Sequence, residues 1–253
     1  MAVVTGANRG IGRVIALALA EAGASVAISA RDSASLETVA AEVRALGREC
    51  LPIACDVSSE ASVVALGAAV LDQFDRVDVV IANAGVAGPT KAMHELDLAE
   101  WRECLTVDLD GVFLTFRSFI PSMISACRGS LIAISSITGK RPLAGRSPYA
   151  AAKMGVIGLC RTLAEEVGPH GIRVNAVCPG AVSGPRIDDV LRNQARIKGI
   201  SEAEARRQFT DPAPLRRLVD AEEIAGTCVF LASDAASGIT GQDINVSAGL
   251  VMY

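Results

Sequence analysis

Short apolar, β-branched runs alternate with longer stretches whose apolar residues recur at helical spacing, and the alternation continues to the end of the chain. Such runs predict strands at 2–5, 25–30, 50–55, 77–82, 130–135, 173–177 and 243–246. Between them, sets such as Ile15, Leu19 and Ala22, or Leu36, Val39 and Val43, fall on one face of a helix. Strands that are apolar throughout are buried on both faces, and strand–helix alternation builds a parallel sheet. The pattern predicts an α/β fold, a doubly wound, seven-stranded parallel sheet with helices on both faces. No repeat, low-complexity tract or Pro/Gly linker divides residues 1–253, so a single domain is expected.

One region breaks the rhythm. Residues 183–217 are polar and rich in charge, and they follow the sixth strand. They read either as a surface helical insertion or as a mobile flap over a pocket. Their position past the carboxyl end of a strand favours the flap, because ligands of such sheets bind there.

Composition narrows the class. With 51% hydrophobic residues in 253, the chain can bury a sizeable core, which excludes wholesale disorder and a disulfide-stapled miniprotein. Its 24 Lys+Arg against 28 Asp+Glu leave no basic footprint for nucleic acid. The longest stretch free of charged residues is 12, too short to span a membrane. The first residues lack a basic region followed by an apolar run, so no signal peptide is expected and a cytoplasmic location is. Seven cysteines without a C-x-x-C pair read as buried, reduced thiols. Two histidines, His94 and His170, lack companions at zinc spacing, and no metal site is expected.

The first chemistry appears where the first strand meets the first helix, at Thr5-Gly6-Ala7-Asn8-Arg9-Gly10-Ile11-Gly12. A strand that turns on glycines into a helix aims free N–H groups and the positive end of the helix dipole at a docked phosphate. Gly6, Asn8, Arg9, Gly10, Ile11 and Gly12 are therefore candidate dinucleotide-binding residues. The second strand ends in Ala30-Arg31, neutral where an acidic residue would bind a ribose 2′-hydroxyl. Arg31, with Arg9, suits a 2′-phosphate, which favours NADP(H) over NAD(H). Two readings remain open: Arg31 also reads as a plain surface cation, and Asp32 either opposes the phosphate or caps the next helix.

Tyr149 and Lys153 open a strong helix pattern over 149–167, and their i, i+4 spacing puts both on one face. An ammonium near a phenol favours the phenolate and moves it toward acid/base use, although such pairs also serve packing. Ser136, 13 residues before the tyrosine, ends the fifth strand and can meet the phenol.

Taken in order, T-G-x(3)-G-x-G at 5–12, Asn83-Ala84-Gly85, a serine 13 residues before Y-x(3)-K, and Pro179-Gly180 resemble the short-chain dehydrogenase/reductase family over essentially the whole chain. The resemblance implies a Rossmann-type domain that transfers a hydride between NADPH and a small ketone or secondary alcohol. It makes Tyr149 the general acid or base and has Lys153 hold the nicotinamide ribose. Ser136 would hydrogen-bond the reacting oxygen, with Ser135 the less favoured neighbour. It further implies that Asp56 and Val57 contact adenine, that Asn83, Ala84 and Gly85 line the cofactor, and that Pro179, Gly180 and Val182 face the nicotinamide. Members commonly form tetramers, so a homotetramer or homodimer is expected.

The chain departs from the family pattern in four places. Asp108 stands where an asparagine usually completes a proton relay, and it is kept among the catalytic candidates. Gly184, beside Ser183, replaces a threonine, and Ser247-Ala248-Gly249 replaces Asp-Gly-Gly. The first strand also starts almost at Met1, and that end is expected to fray. Pocket walls are expected from Ile137, Thr138, Leu143, Val86-Ala87-Gly88 and the flap. Arg141, Arg146 and Arg186 either receive an acidic substrate or are solvated surface. A different class also stays open, a non-catalytic nucleotide sensor or scaffold on the same fold.

Overall fold

The computed structural model describes residues 1–253. Seven strands, β1 (Ala2–Thr5), β2 (Val26–Ala30), β3 (Cys50–Ala54), β4 (Val79–Ala82), β5 (Gly129–Ile134), β6 (Ile172–Pro179) and β7 (Asp243–Val246), form one sheet in the order β3-β2-β1-β4-β5-β6-β7. Every neighbouring pair is parallel. The helices are α1 (Gly10–Glu21), α2 (Ser33–Ala45), α3 (Glu60–Gln73), α4 (Leu98–Leu105), α5 (Gly111–Ala126), α6 (Ser147–Val167), α7 (Pro185–Lys198), α8 (Glu202–Thr210) and α9 (Ala221–Ala232). This is the doubly wound, Rossmann-type arrangement that the alternation predicts. None of the helices is long and apolar enough to cross a membrane.

Alternation along the strands divides the core. Val3, Val80 and Leu131 pack with Leu66, Phe116, Phe119 and Val156 of α3, α5 and α6. Val4, Ile81 and Ile132 face Ile15, Leu36, Val39 and Ile224 of α1, α2 and α9. A proline interrupts the apolar run of β3, and it is tolerated because β3 is an edge strand, where a missing N–H breaks no inner ladder. The strand order reverses between β1 and β4, so their carboxyl ends open a crevice, the usual ligand position in such sheets.

Three details differ from the sequence expectation. β1 lies in mid-sheet and its start is held: the Met1 ammonium pairs with Asp78 at 2.7 Å, and the Met1 carbonyl accepts from the N–H groups of Asp78 and Val79. All seven cysteines are free thiols, but Cys127 is exposed, because it ends α5 in the left-handed conformation with φ 50°. β6 runs on to Pro179, since Cys178 and Pro179 gain partners in Asn245 and Val246 of β7.

The charged stretch after β6 forms α7 and α8. It leaves and rejoins the body at a single β-bridge, Val182 with Val219. Ile187, Leu191 and Ala195, four apart on α7, close with Ala205 and Leu218 into a small apolar cluster of their own.

Edge strand β7 is fastened through Asp243. Lys140, on the loop that follows β5, reaches its carboxylate at 2.5 Å, and Arg161 of α6 reaches it at 2.6 Å. Burial alone would raise the pKa of this carboxyl, but the bonds from Lys140 and Arg161 more than reverse that and hold it below the usual 3.8. A carboxyl depressed by folding contributes its full stability above the unfolded value and loses it as pH falls through the folded one. Asp243→Asn leaves the buried Lys140 ammonium without its counter-charge and is expected to cost about 3 kcal/mol at pH 7. Urea unfolding should show that deficit shrinking as pH falls from 3.8, where the unfolded carboxyl takes up its proton, toward the lower folded value, where the folded carboxylate does.

Candidate active site

Beyond β1 the chain turns through residues 6–12 into α1, with Gly6 and Gly10 at positive φ (64° and 55°). At Gly12 the constraint is space. A Cβ there would lie 2.3 Å from the Gly6 carbonyl oxygen and 2.4 Å from the Asn83 side-chain nitrogen. Arg9 precedes the helix without capping it, and no acidic residue occupies the first turn. The N–H groups of Gly10, Ile11 and Gly12 find no acceptor in the protein, so the positive end of the helix is free for an anion. A dinucleotide diphosphate suits this cradle, whose shape any larger residue at position 12 would break by colliding with the turn and with Asn83.

Asn83 braces the cradle from the end of β4. Its Nδ2 donates to the carbonyls of Thr5 (2.8 Å) and Gly6 (3.1 Å), and the N–H groups of Asn83 and Ala84 donate to Thr5 Oγ1 at 3.1 Å. The resemblance makes Asn83 cofactor lining; its amide group is engaged within the turn itself.

At the end of β2, Arg9 and Arg31 are both exposed and neither takes part in an ion pair with protein. Asp32 caps α2, accepting from the Ala34 N–H at 3.1 Å. Hydrogen bonds around this cap, led by that with Ser35, hold its carboxyl below the usual range. Asn8 joins the same corner through Ser35 Oγ at 3.1 Å. Asp56, past β3, accepts from the N–H and Oγ of Ser58 (3.0 and 2.7 Å) and is likewise held low, with Arg31 adding a smaller pull. The Val57 side chain belongs to the core and presses on Gly111, which leaves its backbone for any ligand contact.

The proton-transfer candidates gather past β5. Ser135 Oγ donates to the Lys153 carbonyl at 2.7 Å, which ties the strand end to α6. That hydroxyl is therefore engaged. Ser136 Oγ accepts from the Thr138 N–H at 3.1 Å and caps the short turn Ile137–Gly139. On α6, Tyr149 and Lys153 share a face as the spacing predicts, with Lys153 Nζ 5.6 Å from the centre of the phenol ring. Lys153 also donates to the Ile134 carbonyl at 3.0 Å.

Asp108 lies in a π-helical turn, Thr106–Asp110, which joins α4 to α5 without a break. Fully buried, it accepts from the Val86 N–H at 2.9 Å and stands 3.8 Å from Lys153 Nζ. Cys104 donates its thiol to the other carboxylate oxygen at 3.6 Å. Burial, then the Asp108 charge, push that thiol up to about 12, so it remains protonated. Gly85 makes room for the group, because a Cβ there would lie 2.5 Å from Asp108 Oδ1.

Arg146 is not the solvated surface residue that one reading allows. It is 4% exposed, and its guanidinium lies 4.7 Å from the centre of the Tyr149 ring, a second cation at the phenol beside Lys153. It stands just before α6 as the N-cap residue, three residues ahead of Tyr149, so helical periodicity gives no signal of its position. Burial lowers its pKa from the usual guanidinium range, and the nearby Arg186 acts in the same direction. Residues 179–182 close the arrangement at the end of β6. Gly180 donates to the Val246 carbonyl at 2.8 Å and packs against Ser247, so the unusual Ser247-Ala248-Gly249 segment backs the Pro179–Gly180 turn.

The turn at 6–12, Asp56, Asn83–Gly85, Ser136 and Pro179–Val182 thus all lie past the carboxyl ends of strands, along the crevice at the point of strand reversal. Such a crevice can hold an extended dinucleotide with its reactive end near Tyr149.

Comparison with known proteins agrees with this geometry. Residues 6–251 match a family model described as enoyl-(acyl carrier protein) reductase. The chain is 38% identical over 255 residues to a 3-oxoacyl-[acyl-carrier-protein] reductase of Synechocystis sp., covering 100% of this chain and 97% of that protein. Among solved structures, an actinorhodin polyketide ketoreductase bound to NADPH superposes with a TM-score of 0.94 at 36% identity, covering 100% of this chain and 97% of that one. An NAD+-bound xylitol dehydrogenase superposes with a TM-score of 0.95 at 29% identity, covering 98% and 97%. The chain belongs to the short-chain dehydrogenase/reductase family of oxidoreductases.

Proposed function

We propose that the chain is an NADPH-dependent reductase of small ketones that also runs in reverse as a secondary-alcohol dehydrogenase, with Tyr149 as its general acid and base. The observation that carries this reading is the Tyr149 phenol at the start of α6, with the Lys153 ammonium and the Arg146 guanidinium both close to its ring. Bound NADPH supplies the hydride. Tyr149 gives its proton to the ketone oxygen as negative charge develops there. Ser136 donates a hydrogen bond to the same oxygen and stabilises that charge. Lys153, with one hydrogen bond to Ile134, keeps donors free for the ribose hydroxyls. Asp108 positions Lys153 and fixes the Val86 N–H, in the place of the asparagine expected from the family pattern.

The choice of NADPH rests on the corner past β2. Arg9 and Arg31 are cations without protein partners, Asp32 is committed to its cap, and Ala30 brings no carboxylate to repel a 2′-phosphate. The ketoreductase relative was solved with NADPH, which supports the same choice. Val57, Asn83, Ala84, Gly85, Pro179, Gly180 and Val182 line the remainder of the cofactor path, and α7 with α8 serves as the substrate flap. Phe113 on α5 and Met154 on α6 are exposed apolar side chains that suit assembly of the subunits through these helices.

Tyr149→Phe is expected to lower kcat by about 10²–10⁴-fold while dinucleotide affinity, read by fluorescence titration, stays within about threefold. Full activity would remove the phenol from the mechanism. Arg31→Ala should weaken NADPH by about tenfold or more and leave NADH nearly unchanged, and equal losses would contradict the phosphate assignment. Asp108→Asn keeps an acceptor for the Val86 N–H and should retain kcat within about tenfold, whereas Asp108→Ala orphans that N–H and should lose more. Collapse of kcat in the asparagine variant would show that the carboxylate charge on Lys153 is itself required.

A further inference from the structure

Two cations near the phenol lack counter-charges. Arg146 is 4% exposed, yet it belongs to no ion pair; it makes one hydrogen bond, from Nη2 to the Ala87 carbonyl at 2.6 Å. Its Nε is buried without any partner. Arg186, at the start of α7, is also free of ion pairs, and its Nη2 donates to the neighbouring Val86 carbonyl at 2.6 Å. The one buried carboxylate nearby, Asp108, already stands beside Lys153. Two guanidiniums are thus tied to adjacent carbonyls of one loop, near enough to repel each other. A buried, unpaired cation is unfavourable unless an anion completes it.

We infer that Arg146 and Arg186 form the seat of a carboxylate, and that the substrate is a short oxo acid whose ketone lies one or two carbons from that carboxylate. This rests on the reductase reading, because Tyr149 marks where the ketone oxygen must lie. With its central carbon 4.7 Å from the centre of the phenol ring, the Arg146 guanidinium keeps a planar edge of donors only a side chain's width from the Tyr149 hydroxyl. A planar carboxylate matches such an edge, and a guanidinium pairs with it more specifically than a point cation does. The short distance excludes a long chain between carboxylate and ketone. In the reaction the carbonyl carbon takes the hydride from NADPH and its oxygen takes the proton from Tyr149. The product is the hydroxy acid with its carboxylate unchanged, and the cofactor leaves as NADP+. Arg186 belongs to the helical insertion, and Gln194 of the same helix donates to the Ala144 carbonyl at 3.1 Å, next to the loop that carries Arg146. The seat therefore spans the insertion and the catalytic helix, and a bound carboxylate joins the two.

Rates with NADPH on 2-oxobutanoate, 3-oxobutanoate, their methyl esters and dihydroxyacetone phosphate test the seat. At least one acid should exceed its ester by about 100-fold in kcat/KM, mostly through KM. Arg186→Gln, on an exposed residue that does not hold the fold, should reduce this preference to within about tenfold, and Arg186→Lys should restore part of it. Arg146→Gln should abolish the preference as well. Equal rates on acids and esters, a preference that survives Arg186→Gln, or faster reduction of the phosphate would overturn the seat while leaving the reductase reading intact. Absence of turnover on every compound with either reduced cofactor would instead defeat the reductase reading. The seat would then be judged by binding: an oxo-acid-dependent rise in Tm present in the wild type and lost in Arg186→Gln upholds it, and no rise overturns it.

Discussion

Once β4 ends at Ala82, the backbone groups of the next residues lose their strand partners, and buried peptide groups must find others. How residues 83–88 meet that requirement determines the geometry of the whole site. The Asn83 side chain and the N–H groups of residues 83 and 84 lock the glycine turn. The Val86 N–H holds Asp108, the Val86 carbonyl holds Arg186, and the Ala87 carbonyl holds Arg146. Gly88 packs beside Cys104 and Tyr149. One six-residue segment therefore joins the cofactor cradle, the π-helical turn, the catalytic helix and the insertion, so a disturbance in any of them reaches the others through it.

The electrostatics around that segment are uneven by construction. Asp108 and Lys153 are both buried and face each other, and the cost of removing each from water is offset by the other and by bonds to Val86 and Ile134. Arg146 receives only a carbonyl and an aromatic face, partners worth less than a carboxylate. The surroundings of the phenol are thus left with positive charge, although the chain as a whole carries a net charge of −4. A field of that sign draws anions toward the reacting end of the crevice.

Much of this architecture was legible because it is written in local patterns. Strands buried on both faces show as unbroken apolar runs, and that at 2–5 agrees with β1 to the residue; the half-buried edge strand β7 also matches its expected bounds, 243–246. Tyr149 and Lys153 share a face because helical spacing alone decides it, and of the two roles open to Asp32 just before a helix, capping α2 is the one it takes. What stayed hidden depends on contacts distant in sequence. The burial of Arg146 needs the loop at 87, 59 residues away, to fold against it. The meeting of Asp108 with Lys153 was anticipated only through the family resemblance, since it depends on a π turn, which no periodicity announces. The exposure of Cys127 follows from one left-handed residue at a helix end, which its sequence neighbours do not reveal.

The bridge between Val182 and Val219 has a consequence for how such a protein diversifies. Both ends of the α7–α8 insertion are pinned side by side, and its apolar residues cluster among themselves. Closing a longer loop from a fixed neck adds little entropic penalty, since that penalty grows only with the logarithm of length. The insertion can accordingly be exchanged or extended as a module, carrying a new selectivity such as the charge at position 186, while the sheet beneath stays undisturbed.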